Sequence, residues 1–346
     1  MQVKMKAVVV NKENDLKLQE VDVPEISKNE VLIKSRAVGI CHSDYEVIGG
    51  RYIIPFGYPI ILGHEWAGDI VEVGEDVDVN MFKVGDRVTG ECVIGCGNCD
   101  LCKSGNFTNC PNAQHFGLSM DGADAEFFKA KPEWLHKLPG GVSYEAGALI
   151  EPFSCGFYAV EVNGGTNANE TVVIAGGGAI GLCALATVKG MGARAIVIEP
   201  MRHRMEVAKR LGADFVINPS EEDPVEKVLE YTEKKGADFV IEASGNDESL
   251  KTILDLPRNN GRVSMVGINI GKKHPIEFGK IQAKGLVLKG CVGSPWVWDK
   301  AIKFLNYTQI DLTVIQTHRF SLDEAETAFD LASQRDKCIK VVLLNE

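Results

Sequence analysis

Apolar positions change their rhythm near the middle of the chain. Before about residue 155 they come in short runs such as "VKMKAVVV", "EVLIKSRAVGI", "GDIVEVG" and "DRVTG". Runs of this length between Gly-Asp and Gly-Glu turns predict the strands of a β-rich domain. From residue 171 the runs alternate with helical patterns. "TVVIAG", "AIVIEP", "DFVIN", "DFVIEAS" and "GRVSMVGI" read as strands, and "AIGLCALATVKGMG", "RMEVAKRLG", "DPVEKVLEYTEKKG" and "ESLKTILDL" as the helices between them. That alternation predicts parallel βαβ units in a doubly wound sheet, with "GLVLKGCVG" as a sixth strand. Two more helical patterns, "DKAIKFL" and "LDEAETAFDLA", precede a strand-like "IKVVLL" at the end. The expected division is a β-rich part over 1–157, an α/β part over 158–293 and a C-terminal segment over 294–346.

A length of 346 residues suits two domains, and 45% hydrophobic with 25% charged residues is ordinary globular composition. The formal net charge of −11, with no dense Lys/Arg cluster, argues against nucleic acid or an anionic membrane as partner. The N-terminus "MQVKMKAVVV" lacks a secretory pattern and no apolar run approaches membrane-spanning length, so the expectation is a cytoplasmic protein. Four of the ten cysteines fall in one short stretch, which points to metal binding in a reducing compartment.

That stretch, "CGNCDLCKSGNFTNC", sets Cys96, Cys99, Cys102 and Cys110 at C-x2-C-x2-C-x7-C. Two-residue gaps let successive thiolates converge, and Gly97 and Gly105 permit the sharp turns this needs. Four sulfurs make a closed tetrahedral zinc site that holds a loop and does no chemistry. An iron–sulfur run shares the first two gaps but continues x3-C-P. Further on, "VVIAGGGAIGL" places Gly176, Gly178 and Gly181 as G-x-G-x-x-G between a strand and a helix. Glu199 ends the following strand, where it can accept hydrogen bonds from adenosine ribose hydroxyls. A carboxylate there repels a 2′-phosphate, which favours NAD over NADP. Arg204 is placed to lie along the adenosine. A doubly wound domain whose glycines serve only packing is the plainer alternative.

Three fragments remain: "GICHSDYE" with Cys41, "LGHEWAG" with His64 and Glu65, and "LIEPFSCGF" with Glu151 and Cys155. Taken with the cysteine cluster, "VGDRV" and the glycine motif, they make the chain resemble the zinc-dependent medium-chain dehydrogenases, most of all the polyol (sorbitol-type) and threonine branches. The resemblance covers nearly the whole length. It implies a GroES-like β-rich catalytic domain, a Rossmann domain, and a C-terminal segment returning to the first domain. It also implies two zinc ions per chain, NAD, a small alcohol or polyol substrate, and a homo-oligomer, dimer or tetramer. A catalytic zinc would be held by Cys41, His64 and a third group. Glu151 falls where the sorbitol branch has its metal-site glutamate, directly or through water, whereas Cys155 is the thiolate alternative. Glu65 resembles the family's alternate ligand, and Ile180, Val266 and Ile268 join the expected cofactor contacts.

The implied reaction moves hydride from a secondary alcohol to the nicotinamide, and Ser43 matches the family's proton-relay hydroxyl. Its plainer role is as N-cap of the "DYEVIGG" helix. Glu46 stands where many relatives have a relay histidine, and Asp124 where they have a pocket aromatic. Two such carboxylates would suit a substrate with several hydroxyls or an ammonium group. A threonine-type amino-alcohol dehydrogenase is the alternative within enzymes, and a non-catalytic nucleotide-binding protein the alternative outside them.

Overall fold

The computed structural model describes residues 3–268 and 272–345. The chain forms two compact units, one of Met1–Glu151, Trp298–Asn306 and Gln316–Glu346, the other of Pro152–Val297 and Tyr307–Ile315.

The first unit is organised on the strand Val31–Ile40, which pairs antiparallel with Glu65–Val73, Phe127–Ala130 and Lys340–Leu344. Arg87–Gly90 and Leu135–Lys137 extend the seven-stranded sheet on one side, and Gln316–Ser321 lies beyond the C-terminal strand on the other. Both faces of Val31–Ile40 are covered, which explains its nearly continuous apolar sequence. Val10, Ile40, Leu62, Leu118, Phe329 and Val341 belong to one core. Ile33, Val38, Trp66, Phe116 and Phe128 belong to another, where Trp66 meets Phe128 edge-on at 4.7 Å between ring centroids. A small sheet joins Lys4–Lys12 to Asp15–Asp22 and Ile60–Ile61.

The second unit carries a six-stranded parallel sheet in the order Phe215–Ile217, Arg194–Ile198, Thr171–Ala175, Ala237–Glu242, Pro257–Met265, Val287–Gly290. The order reverses between Thr171–Ala175 and Ala237–Glu242, the switch point at which doubly wound sheets bind ligands. The helix Ala179–Gly190 is buried along most of its length, so its sequence is apolar all round rather than amphipathic. "LIEPFSCGF" forms the helix Ile150–Phe157, which widens into a π-helical turn over Tyr158–Gly164 and stops at Gly165 with φ 59°. Among the described residues no helix is long and apolar enough to cross a membrane.

Candidate active site and metal centres

Two adjacent strands deliver the first cluster. Val31–Ile40 ends at Cys41, which is the N-cap of the short helix His42–Ile48 with extended backbone (φ −112°, ψ 160°). Its partner strand begins at Glu65, in register with Gly39. A Cβ at Gly39 would lie 2.4 Å from Glu65 Oε2, so only glycine leaves that carboxylate room. One ligand atom from each of Cys41, His64 and Glu65 lies within 4.8 Å of the others. Asp44 organises the group: Oδ2 accepts from the Cys41 amide at 2.8 Å, and Oδ1 is 3.3 Å from His64 Nδ1. With the carboxylate on the Nδ1 side of the ring, His64 Nε2 is the nitrogen left for a metal. Behind the cluster, buried Lys340 donates to Glu65 Oε1 and Oε2 at 2.7 and 2.6 Å and to the Ile40 carbonyl at 3.1 Å.

Glu151, expected as the third ligand, is outside the converging set, although it feels the charges of His64, Glu65 and Lys340. Burial, only partly offset by His64, raises its carboxyl to about 7. Cys155 is half-buried and belongs to the second unit.

The cysteine quartet also converges, with all four sulfurs within 4.8 Å. Amides of Cys96, Cys102 and Asn112 donate to the sulfurs of Cys110, Cys99 and Cys110 at 3.5, 3.4 and 3.4 Å. Backbone amides of Asn98 and Cys99 hold the Cys96 thiol down at about 6. Burial and the neighbouring sulfurs push Cys102 up to about 12. Four sulfurs this close can all be thiolates only around a cation, for which the quartet is suited.

In the second unit the glycine loop is built for close approach. Gly176 has φ 108°, and a Cβ at Gly181 would fall 1.9 Å from the Gly176 carbonyl oxygen. A Cβ on Gly178, the N-cap of Ala179–Gly190, would meet only Arg204 Nη1 at 3.9 Å. The space before this helix N-terminus is therefore open to a phosphate, with a guanidinium beside it. Glu199 accepts from the Gly177 amide at 2.7 Å and from the Met201 amide at 2.8 Å, which ties it to the loop. Ile180 is half-buried in the first turn of the helix, Val266 is half-buried and Ile268 is 77% exposed.

Residues 27–140 match the alcohol dehydrogenase GroES-like domain, and residues 179–307 match the zinc-binding dehydrogenase model. The chain is 36% identical to a sorbitol dehydrogenase of Bacillus subtilis, over 98% of this chain and 97% of that one. It belongs to the zinc-dependent medium-chain dehydrogenases. A zinc-binding dehydrogenase of Sinorhizobium meliloti solved bound to NADP superposes with a TM-score of 0.92 at 29% identity, covering 99% of this chain and 100% of that one. A 2R,3R-butanediol dehydrogenase of Bacillus subtilis does so with a TM-score of 0.91 at 28% identity, again over 99% and 100%.

For this dehydrogenase the surroundings of three residues singled out in the sequence are now visible. Ser43 is not the helix N-cap: Cys41 is, and Ser43 Oγ lies 3.9 Å from its sulfur. Glu46 pairs with His42 Nε2 at 3.8 Å and Arg51 Nε at 3.5 Å. Asp124 is 1% exposed, with neither carboxylate oxygen hydrogen-bonded, so it does not reach into a solvent-filled pocket. Burial and repulsion from Asp44 hold its carboxyl well above the usual range. It backs onto Gly63, where a Cβ would come 2.6 Å from the Asp124 amide nitrogen. The reading of the sequence missed Asp44 and Lys340. Each left a signal: Asp44 follows Cys41 by three residues, and Lys340 is a charge inside "CIKVVLL".

Proposed function

We propose that the protein oxidises a secondary alcohol of a polyol, cyclitol or sugar to the ketone, with NAD as hydride acceptor and two zinc ions per chain. The observation that carries this reading is the convergence of Cys41, His64 and Glu65 within 4.8 Å, beside a second, all-cysteine quartet. One site has three mixed donors, which leaves a position for substrate; the other is closed. A zinc ion held at the open site would supply Lewis-acid chemistry, making a bound hydroxyl more acidic. Cys41 and His64 would hold it, with Glu65 or Glu151 as the carboxylate.

The chain's own groups then have separate tasks. Asp44 fixes the His64 ring, and Lys340 keeps Glu65 oriented. Ser43 offers a hydroxyl beside Cys41 for proton exit. Gly176, Gly178 and Gly181 admit the pyrophosphate, Arg204 stands beside it, and Glu199 selects the unphosphorylated ribose. The net charge of −11 and ten cysteines with no disulfide among them suit a cytoplasmic enzyme, which we place among homodimers or tetramers.

NADH formation over a panel of polyols, aldoses, amino alcohols and simple alcohols, with zinc counted by elemental analysis, tests the proposal. Two zinc ions per chain and a preference for polyols are expected. Inactivity throughout the panel, or one zinc with full turnover, would falsify it. Glu199→Ala should weaken NAD binding about tenfold and tighten NADP, read as Kd by fluorescence titration, because the 2′-phosphate is no longer repelled.

A further inference from the structure

Glu242 ends the strand Ala237–Glu242 with a fully buried carboxylate, at the switch point of the parallel sheet. No lysine or arginine pairs with it among the described residues, and its charge is met by hydroxyls and amides. Oε1 accepts from the Ser244 amide at 3.1 Å, from the Ser244 hydroxyl, from the Gly245 amide at 3.1 Å and from the Ser249 hydroxyl at 3.3 Å. Oε2 accepts from the Gly245 amide at 3.2 Å. One side chain therefore ties the turn after its strand to the helix Asp247–Thr252. The main-chain carbonyl of Glu242 takes the amides of Val266 and Gly267 at 2.8 and 2.9 Å.

The segments held in this way border the glycine loop. A Cβ at Gly176 would fall 2.9 Å from both the amide nitrogen and the Cβ of Ser244, and the Ala243 amide donates to the Ala175 carbonyl at 2.9 Å. From the other side, a Cβ at Gly267 would lie 2.3 Å from the Gly245 nitrogen and 2.4 Å from Glu242 Oε2. The carboxyl ends of three adjacent strands, Thr171–Ala175, Ala237–Glu242 and Pro257–Met265, thus close around one carboxylate. Doubly wound sheets bind their ligands at such ends. Ser244 is exposed and Glu242 is not, so the carboxylate works from beneath the surface it shapes. Its role calls for a group that only accepts. A glutamine would set an NH2 where Oε2 now faces the Gly245 N–H, and two donors do not pair.

We propose that Glu242 is a positioning residue for the dinucleotide: it presses Ser244 and Gly245 against Gly176, fixes Val266 and Gly267 over them, and so sets the affinity for NAD without touching it. This rests on the dehydrogenase reading above. Glu242 takes no part in zinc binding or in the hydride and proton steps.

The test measures the Kd of NADH by fluorescence titration in the wild type, Glu242→Gln, Glu242→Ala and Ser244→Ala. Melting temperature, zinc content and steady-state kinetics are recorded for each. Glu242→Gln should raise the NADH Kd about tenfold and Glu242→Ala more, because several donors to one charged acceptor are lost. Ser244→Ala keeps its Cβ against Gly176 and loses one donor, so its Kd should rise about threefold. Zinc content, the KM for alcohol and kcat at saturating NAD should all stay close to wild type. Glu242→Gln and Ser244→Ala carry the test if Glu242→Ala does not fold. An unchanged NADH Kd in the Glu242 variants, even with a lower melting temperature, overturns the assignment and makes the residue a purely structural one. Losses that fall equally on NADH binding and on the KM for alcohol overturn it as well. Both outcomes leave the dehydrogenase standing, whereas a wild type that binds no NADH removes both readings.

Discussion

Lys340 places an ammonium group in a strand whose neighbours are otherwise buried apolar side chains, and it is tolerated there because both oxygens of Glu65 receive it. Burial alone would lower its pKa; Glu65 reverses this and holds it above the ordinary lysine value. Removing one partner of such a pair strands the other charge. Lys340→Met should therefore destabilise the protein by about 3 kcal/mol or more and release zinc from the open site, whereas Lys340→Arg should retain much of both. Thermal melts with metal analysis decide it; a methionine variant melting with the wild type would disprove the role. Cys41, His64 and Glu65 were legible in the sequence because their residue types are zinc donors in recognisable fragments. How the two carboxylates stand toward Cys41 and His64 was not, since "LGHEWAG" and "LIEPFSCGF" offer one each and it is the pairing of Gly39 with Glu65 that sets Glu65 within 4.8 Å of both.

Short elements are held here by polar staples rather than by length. The loop between Val93–Ile94 and Gln114–His115 contains only the four-residue helix Asp100–Lys103 and one 3-10 turn, so little apolar burial supports it. Cys99→Ser should lose the closed-site zinc and, with it, several degrees of melting temperature, because metal affinity at such a site is folding free energy. Atomic absorption should then read one zinc where the wild type has two. A second staple joins the strand Leu135–Lys137 to the helix Trp298–Thr308: His136 Nδ1 lies 2.9 Å from Asp299 Oδ1 and Nε2 3.2 Å from Glu91 Oε1. Burial would lower its pKa, but the hydrogen bonds to Glu91 and Asp299 outweigh this and raise it. Since the folded pKa is the higher one, this stabilisation is full below about pH 6.5 and fades as pH rises through the raised value. Melting temperatures from pH 6 to 9 should show the decline in the wild type and a flatter profile in His136→Gln.

At the scale of the whole molecule the first unit is discontinuous, assembled from three stretches of chain. Its last strand, Lys340–Leu344, is interior to the seven-stranded sheet, between Val31–Ile40 and Gln316–Ser321. Ending the chain at Ile339 would expose an unpaired edge on each neighbour and remove the partner of Glu65. The truncated protein should be insoluble or bind zinc only at the cysteine quartet. Soluble expression with wild-type zinc content would show that the final strand is dispensable.

The sequence by itself determined the fold class, the convergence of the cysteine quartet and the tight glycine loop. All three are local: period-2 and period-3.6 patterning, two-residue gaps between cysteines, and glycines where a Cβ would strike backbone are properties of neighbouring residues. Tertiary structure decided what depends on residues far apart in the chain. It put Lys340 under Glu65, set Asp44 against His64, buried Asp124 behind Gly63, and turned Glu46 toward Arg51. Spacing cannot state which way a lone carboxylate faces, because that follows from strand register and from the cation it meets in the folded chain.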